Sequence, residues 1–340
     1  MSAKKYVLFL LIGIPLVIGM IGILVMSSIV ESDFSTQYIE LARYQRNKLK
    51  NINSLDIALV GDSSLGNAIN SQYWSHYTNK KTMSLALTGS FGFGGSYGFS
   101  KQAIKKGTKT IIVMHTLDIF DRTRSLSQDH RGYLYTVQSY NDILVNPVDF
   151  STLIDFLYDK THIKISMMKS FKRIKSSVTG GMEEKDSNNK FQKVKIFDYW
   201  PQGAKKDYSS SRGFLDHKNI NKNKVYYLTE LNKLCEIKKI NCIYMHGPVN
   251  ESYCKNSKQY ISTVNKLVRS TGIKLISDMP YCLKNKKTGD SKDHVLPKFK
   301  DEATRYYLEV VKQYTESLKL QNLTGGSVDS TKFIKKTMFN

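Results

Sequence analysis

Ala58-Leu-Val-Gly-Asp-Ser-Ser-Leu-Gly66 is an apolar run that breaks at Gly61 into Asp62-Ser63-Ser64. A short apolar run closed at once by turn residues is the pattern of a buried parallel strand, here Leu55 to Val60, with a helix able to start at Ser64. Outward from this point the alternation repeats. Thr82 to Leu87, Lys109 to His115, Asn241 to His246 and Ile273 to Ser277 read as four further strands. Helical segments lie around 97–106, 222–238 and 256–270, and residues 299–318 form a closing helix. Strands separated by helices predict the α/β class: a parallel sheet of about five strands in a three-layer arrangement with right-handed crossovers.

Between the third and fourth strands lie about 125 residues, far beyond a normal crossover, so the reading places an insertion at about 125–220. Asn146-Pro147 to Ser177 suits two helices, and 179–190 is rich in Gly, Glu, Lys and Asn. Phe91-Gly-Phe-Gly-Gly95 reads as a flexible glycine-rich turn; it lacks the GxxxxGK[ST] spacing of a phosphate loop.

The amino terminus is of another kind. Tyr6 to Val30 is apolar and uncharged over about 25 residues, more than the roughly 20 that a helix needs to cross a bilayer. A cleaved signal peptide has a shorter apolar core, and Met26-Ser27-Ser28 is a poor cleavage match, so an uncleaved anchor is the preferred reading. Lys4 and Lys5 place residues 1–5 in the cytoplasm and everything after the 6–30 anchor on the extracytoplasmic side. Residues 31–52 read as a charged helical neck, 53–320 as the α/β domain with its insertion, and 321–340 as a polar tail. The 340 residues carry a net charge of +22, which in a cytosolic protein would suggest nucleic acid. This topology argues against that, and favours an anionic membrane surface or an acidic polysaccharide. All four cysteines fall in one late segment, and Cys254 with Cys282 is the favoured pair because each follows a strand at one sheet edge. No ligand spacing for zinc is present.

In parallel α/β sheets ligands bind beyond the carboxyl ends of the strands. Ser63, Gly89, Thr116 to Asp118 and His246 follow the first four strands there, and His294 lies in the loop after the fifth, within Asp290-Ser-Lys-Asp293-His294. A serine hydroxyl needs an imidazole to take its proton and a carboxylate to orient that imidazole. Ser63 is thus a candidate nucleophile and His294 its base. Asp290 is preferred over Asp293 as the orienting acid, because adjacent side chains in an extended segment point to opposite sides. The plain alternative is that Gly-Asp-Ser is only a turn and helix N-cap. His115 and His246 read as packed or hydrogen-bonded residues.

With Gly61-Asp62-Ser63, Leu87-Thr-Gly-Ser90 and a histidine just before the last helix, residues 55–318 without the insertion resemble the SGNH or GDSL hydrolase superfamily. The resemblance implies a flavodoxin-like three-layer fold, Ser63 as nucleophile, His294 as base, and the backbone N–H groups of Ser63 and Gly89 as an oxyanion hole. It requires no cofactor and no metal. Two positions depart from it. Where the family has an asparagine donor this chain has His115-Thr116-Leu117-Asp118, with Thr116 able to donate and Asp118 set to repel an oxyanion; and the position three before His294 is Ser291. Asp62 is grouped with Gly89 and Thr116 on the substrate side.

Within that superfamily a single anchor with an exported domain is similar to the accessory proteins of membrane-bound O-acyltransferases, which acetylate exopolysaccharides or D-alanylate teichoic acids. The expected function is therefore a serine acyltransferase or esterase acting on a cell-envelope glycan. The alternatives are an extracytoplasmic lipase or carbohydrate esterase, and a noncatalytic scaffold of a polysaccharide-modification complex.

Overall fold

The computed structural model describes residues 12, 13, 15, 16, 19, 36–121, 126–136 and 213–324. The helices expected between 146 and 177, the 179–190 stretch and the tail beyond 324 lie outside the described residues, as does most of the 6–30 apolar stretch. Among the described residues no helix is long and apolar enough to cross a membrane. The fold and site below belong to one compact unit, Leu41–Thr136 with Lys190–Asn340.

In chain order the elements are α1 (Thr36–Lys50), β1 (Ile57–Gly61), α2 (Ser63–Ala68), α3 (Ser71–Thr78), β2 (Thr82–Ala86), α4 (Gly92–Lys105), β3 (Thr110–His115), α5 (Leu126–Thr136), α6 (Tyr226–Lys238), β4 (Asn241–His246), β5 (Val249–Asn250), α7 (Glu251–Asn256), α8 (Lys258–Ser270), β6 (Lys274–Leu275), β7 (Cys282–Leu283) and α9 (Lys300–Thr324). The main sheet has the order β2-β1-β3-β4-β6, every pair parallel. All five expected strands are in it. The chain runs outward from β1 to β2 and then crosses back to β3, which makes the β1/β3 boundary the topological switch point where such sheets open a crevice. Gly61 pairs with Ala86 on one side and Met114 on the other.

Strands covered by helices on both faces read as continuous apolar runs, and this explains why β1 and β3 were so legible. On one face Leu59, Ile112, Met114, Ile243 and Met245 pack with Trp74 of α3 and Tyr307, Leu308 and Val310 of α9. On the other, Phe93 of α4 lies against His115, Phe120 and Tyr244, with ring centroids 4.5, 5.2 and 6.4 Å apart.

Three sequence expectations are corrected, and the neck, helical as expected, proves to pack on the sheet edge: Leu41, Ala42 and Leu49 of α1 are buried, while Gln45 Nε2 donates to Ala86 O and Lys48 Nζ to Ser84 O, both at 2.7 Å. These donors satisfy outward carbonyls of β2, the edge strand, and so cover an edge that would otherwise be open to pairing. Gly92–Gly95 is no flexible turn but the first turn of α4. A Cβ at Gly94 would overlap the Asp129 carbonyl, one at Gly98 the Thr136 hydroxyl, and one at Gly132 the Phe91 carbonyl, so these glycines let α4 and α5 pack backbone to backbone. Because α5 packs there, the insertion does not begin near 125; the chain stays with the site-bearing unit to Thr136. The closing helix continues to Thr324, into the expected tail.

The small parallel pair β5–β7 was not foreseen from sequence. Beside it Cys254 of α7 is joined to Cys282 of β7, the favoured pair, and Cys235 of α6 to Cys242 of β4.

Candidate active site

The nucleophile turn is built on a close approach of two strands. A Cβ at Gly61 would overlap the carbonyl oxygen of Met114, so only glycine lets β1 end here against β3. Asp62 then caps α2, accepting from Ser64 N at 3.0 Å and Ser64 Oγ at 2.6 Å, and from Thr116 N at 3.1 Å. Its other oxygen contact is His115 Nδ1 at 3.3 Å. Burial alone would raise this carboxyl, but the His115, Ser64 and Thr116 contacts outweigh it and bring it to about 2. The plain N-cap reading is correct for Asp62. It leaves Ser63, partly exposed as the first residue of α2, with its hydroxyl uncommitted to the cap.

From the far end of the chain the 285–296 loop supplies the rest. His294 Nε2 lies 3.0 Å from Ser63 Oγ, and His294 Nδ1 lies 2.7 Å from Asp290 Oδ1. The neighbours assign the proton to Nδ1 facing Asp290, which leaves Nε2 as acceptor for the Ser63 hydroxyl. The hydrogen bond from His294 holds the Asp290 carboxyl below its ordinary value, against partial burial. For His294 burial disfavours the imidazolium, but the Asp290 hydrogen bond and the charges of Asp293, Asp290 and Asp62 prevail and raise it. Asp293 makes no hydrogen bond to the imidazole: its side chain is buried and hydrogen-bonded to the Ser291 hydroxyl, and burial raises it. The structure therefore brings Ser63, His294 and Asp290 into one hydrogen-bonded chain and leaves Asp293 beside it.

The loop is shaped by short backbone bonds, Gly289 N to His294 O at 2.7 Å, His294 N to Ser291 O at 3.2 Å and Leu296 N to Lys287 O at 2.9 Å. Its support comes from residues to which sequence reading gave no role. Asn250, fully buried, donates its backbone N–H to Lys292 O at 2.6 Å and its amide to Asn285 Oδ1 at 2.7 Å and Thr288 Oγ1 at 3.0 Å. Lys292 Nζ reaches Asp118 Oδ2 at 2.7 Å. No spacing in the sequence announced either contact, since the partners are 35 or more residues apart.

Ser63 and Gly89 each open a helical turn, where the first N–H groups have no partner within the helix. The strand register sets them close in the chain path: Gly61 faces Ala86, and Leu87 N donates to Gly61 O at 2.9 Å, so both turns leave adjacent strand ends. The Thr116 N–H is spent on Asp62, while its hydroxyl, the donor expected in place of an asparagine, is buried and has no hydrogen-bond partner among the described residues. Asp62 is wholly inside the protein, not on the substrate side. Asp118 does not stand as an unopposed negative charge, since Lys292 neutralises it.

No protein-family model, curated protein or solved structure matches the chain. What it can do is therefore read from its own geometry.

The two other histidines that end strands of the sheet are packed residues. His115 is fully buried with Nε2 2.8 Å from Ser96 Oγ. His246 is buried with Nε2 2.6 Å from Asn265 Oδ1, and burial takes it down to about 4 in spite of that bond. Among the described residues no group of three His, Cys, Asp or Glu side chains could hold a metal ion.

Proposed function

We propose that the chain is a serine acyltransferase or esterase of the SGNH type, acting on a cell-envelope polysaccharide through an acyl-Ser63 intermediate. The observation that carries this reading is the Ser63–His294–Asp290 chain, assembled from residues 231 positions apart with both imidazole nitrogens engaged in the required order. Ser63 Oγ attacks the acyl carbonyl while His294 Nε2 takes its proton; Asp290 keeps the imidazole in the reactive tautomer and favours the imidazolium. The tetrahedral oxyanion is met by the N–H groups of Ser63 and Gly89, each worth about 3 kcal/mol in such sites. His294 returns the proton to the leaving alcohol. An acceptor hydroxyl, from water or a sugar, is then deprotonated by His294 and attacks the acyl carbonyl; the bond to Ser63 Oγ breaks as His294 returns that proton to the serine.

The apolar 6–30 stretch supports an anchored enzyme whose site lies on the extracytoplasmic side of a bacterial membrane, and the charge of +22 suits an acidic polymer or bilayer. A membrane-bound O-acyltransferase is the partner this arrangement favours as acyl source. The test is reaction of the full-length protein with a fluorophosphonate and with p-nitrophenyl acetate, followed by mass spectrometry of the Ser63 peptide. An adduct on Ser63, lost in Ser63→Ala and His294→Ala, is the expected result. Labelling that persists in folded Ser63→Ala refutes the assignment.

A further inference from the structure

Lys292 lies two residues from both Asp290 and His294, yet its side chain belongs to neither. It extends to the 3-10 turn Leu117–Phe120 that follows β3, where its ammonium pairs with Asp118 at 2.7 Å and lies 5.3 Å from the Tyr253 ring centroid. Both partners of the pair are mostly shielded, with 21% and 18% of their side chains exposed, so the attraction is screened less than at an open surface. The same residue is gripped a second time through its backbone, since Lys292 O accepts from Asn250 N at 2.6 Å. Residues 290–294 are thus fixed at their midpoint from two elements, the β3 turn and the β5–α7 junction. Asp290 and His294, which must meet each other so that His294 can meet Ser63, lie two residues to either side of that fixed point.

We propose that Lys292, through its ion pair with Asp118, is a positioning residue for the base: it sets the 290–294 turn at the height where His294 Nε2 meets Ser63 Oγ. The proposal rests on the Ser63 reading above. It also gives Asp118 a use, because a carboxylate beside a developing oxyanion is harmful unless a cation holds it. A misplacement of the base by about 1 Å is enough to cost on the order of a hundredfold in rate, so a loosened turn is expected to register in chemistry before it registers in folding.

The experiment uses full-length wild type, Lys292→Met, Asp118→Asn, the double variant and Lys292→Arg. The first readout is the rate of Ser63 phosphonylation per reactive site, which a smaller folded fraction does not change. The second is hydrogen exchange of the peptide covering 285–296. Each single substitution is expected to slow labelling about tenfold and to speed exchange of that peptide, with the double variant no worse than either single, since the two groups act as one unit. Lys292→Arg is expected to restore most of the rate. Labelling within about twofold of wild type in both singles, or additive losses in the double, overturns the proposal. If wild type does not label while exchange rises in the variants, the clamp stands as an anchor of the loop and the serine-enzyme reading falls instead.

Discussion

Two Ser–His–Asp chains meet at Asp62 and Ser63, and they differ in almost everything but residue type. In the outer one, Ser63, His294 and Asp290 are linked at 3.0 and 2.7 Å at the carboxyl edge of the sheet, and Asp290 has 43% of its side chain exposed. In the inner one, Ser96 Oγ lies 2.8 Å from His115 Nε2 and His115 Nδ1 approaches Asp62 Oδ2 at 3.3 Å without a hydrogen bond, with no more than 2% exposure at any of the three. A substrate can reach only the outer chain. The inner Asp62 spends its oxygens on Ser64, Thr116 and His115, and thereby fixes the backbone from which Ser63 projects. Catalytic geometry and structural geometry here use one vocabulary; access and the identity of the acceptor's remaining partners separate them.

The largest separation is expected in turnover. Ser63→Ala and His294→Ala should each lower esterase kcat by at least about 10⁴-fold, whereas Ser96→Ala should stay within a few fold; comparable losses in all three would erase the distinction. Next comes the acid. Asp290→Asn is expected to cost roughly 10²- to 10⁴-fold in kcat, and Asp293→Asn much less, in steady-state assays of folded variants. Because the base must be neutral and His294 is raised, the acid limb of kcat/KM should fall above pH 6.5, and Asp290→Asn should move it downward.

Stability should sort the pair in the opposite direction. Asp62 is depressed from 3.8 to about 2, so its contribution is present above pH 4 and lost as the pH falls through 2. Asp62→Asn is expected to destabilise by about 2 kcal/mol at pH 7 in denaturant melts, with the gap from wild type closing below pH 4. A gap independent of pH would mean that the carboxylate charge has no share in it. The smallest effect is expected from Ser96→Ala, about 1 kcal/mol of stability from one buried hydrogen bond, read by the same melts.

Much of this was legible along the chain, for reasons that can be named. Ala58–Gly61 and Thr110–His115 are apolar because both sheet faces are covered, so strand and carboxyl edge could be read directly, and Ser63 and His294 with them. Asp290 was preferred over Asp293 on the assumption of an extended backbone, whereas 290–293 is a bend and turn, and that turn is what sets Asp290 against the imidazole four residues on. Other residues misled. Gly94 looked like freedom and proved to be closeness, because a glycine does not say whether it is chosen for its φ or for the atom that needs its missing Cβ. At Thr116 the chain offered a side-chain donor, and its hydroxyl has no partner among the described residues; what the chain did not show is that the Thr116 N–H is held by a carboxylate 54 residues earlier.

The sequence by itself determined the α/β alternation, the strand ends and the residues able to attack, to carry a proton and to orient, because periodicity and turn chemistry are local. Tertiary structure decided the sheet order, the covering of the β2 edge by α1, the grip of Asn250 and Lys292 on the 285–296 loop, and which of two Ser–His–Asp chains faces solvent. Those depend on contacts between residues far apart in the chain, and it is burial, set only when the layers close, that makes one aspartate a structural tie and leaves another to orient a base.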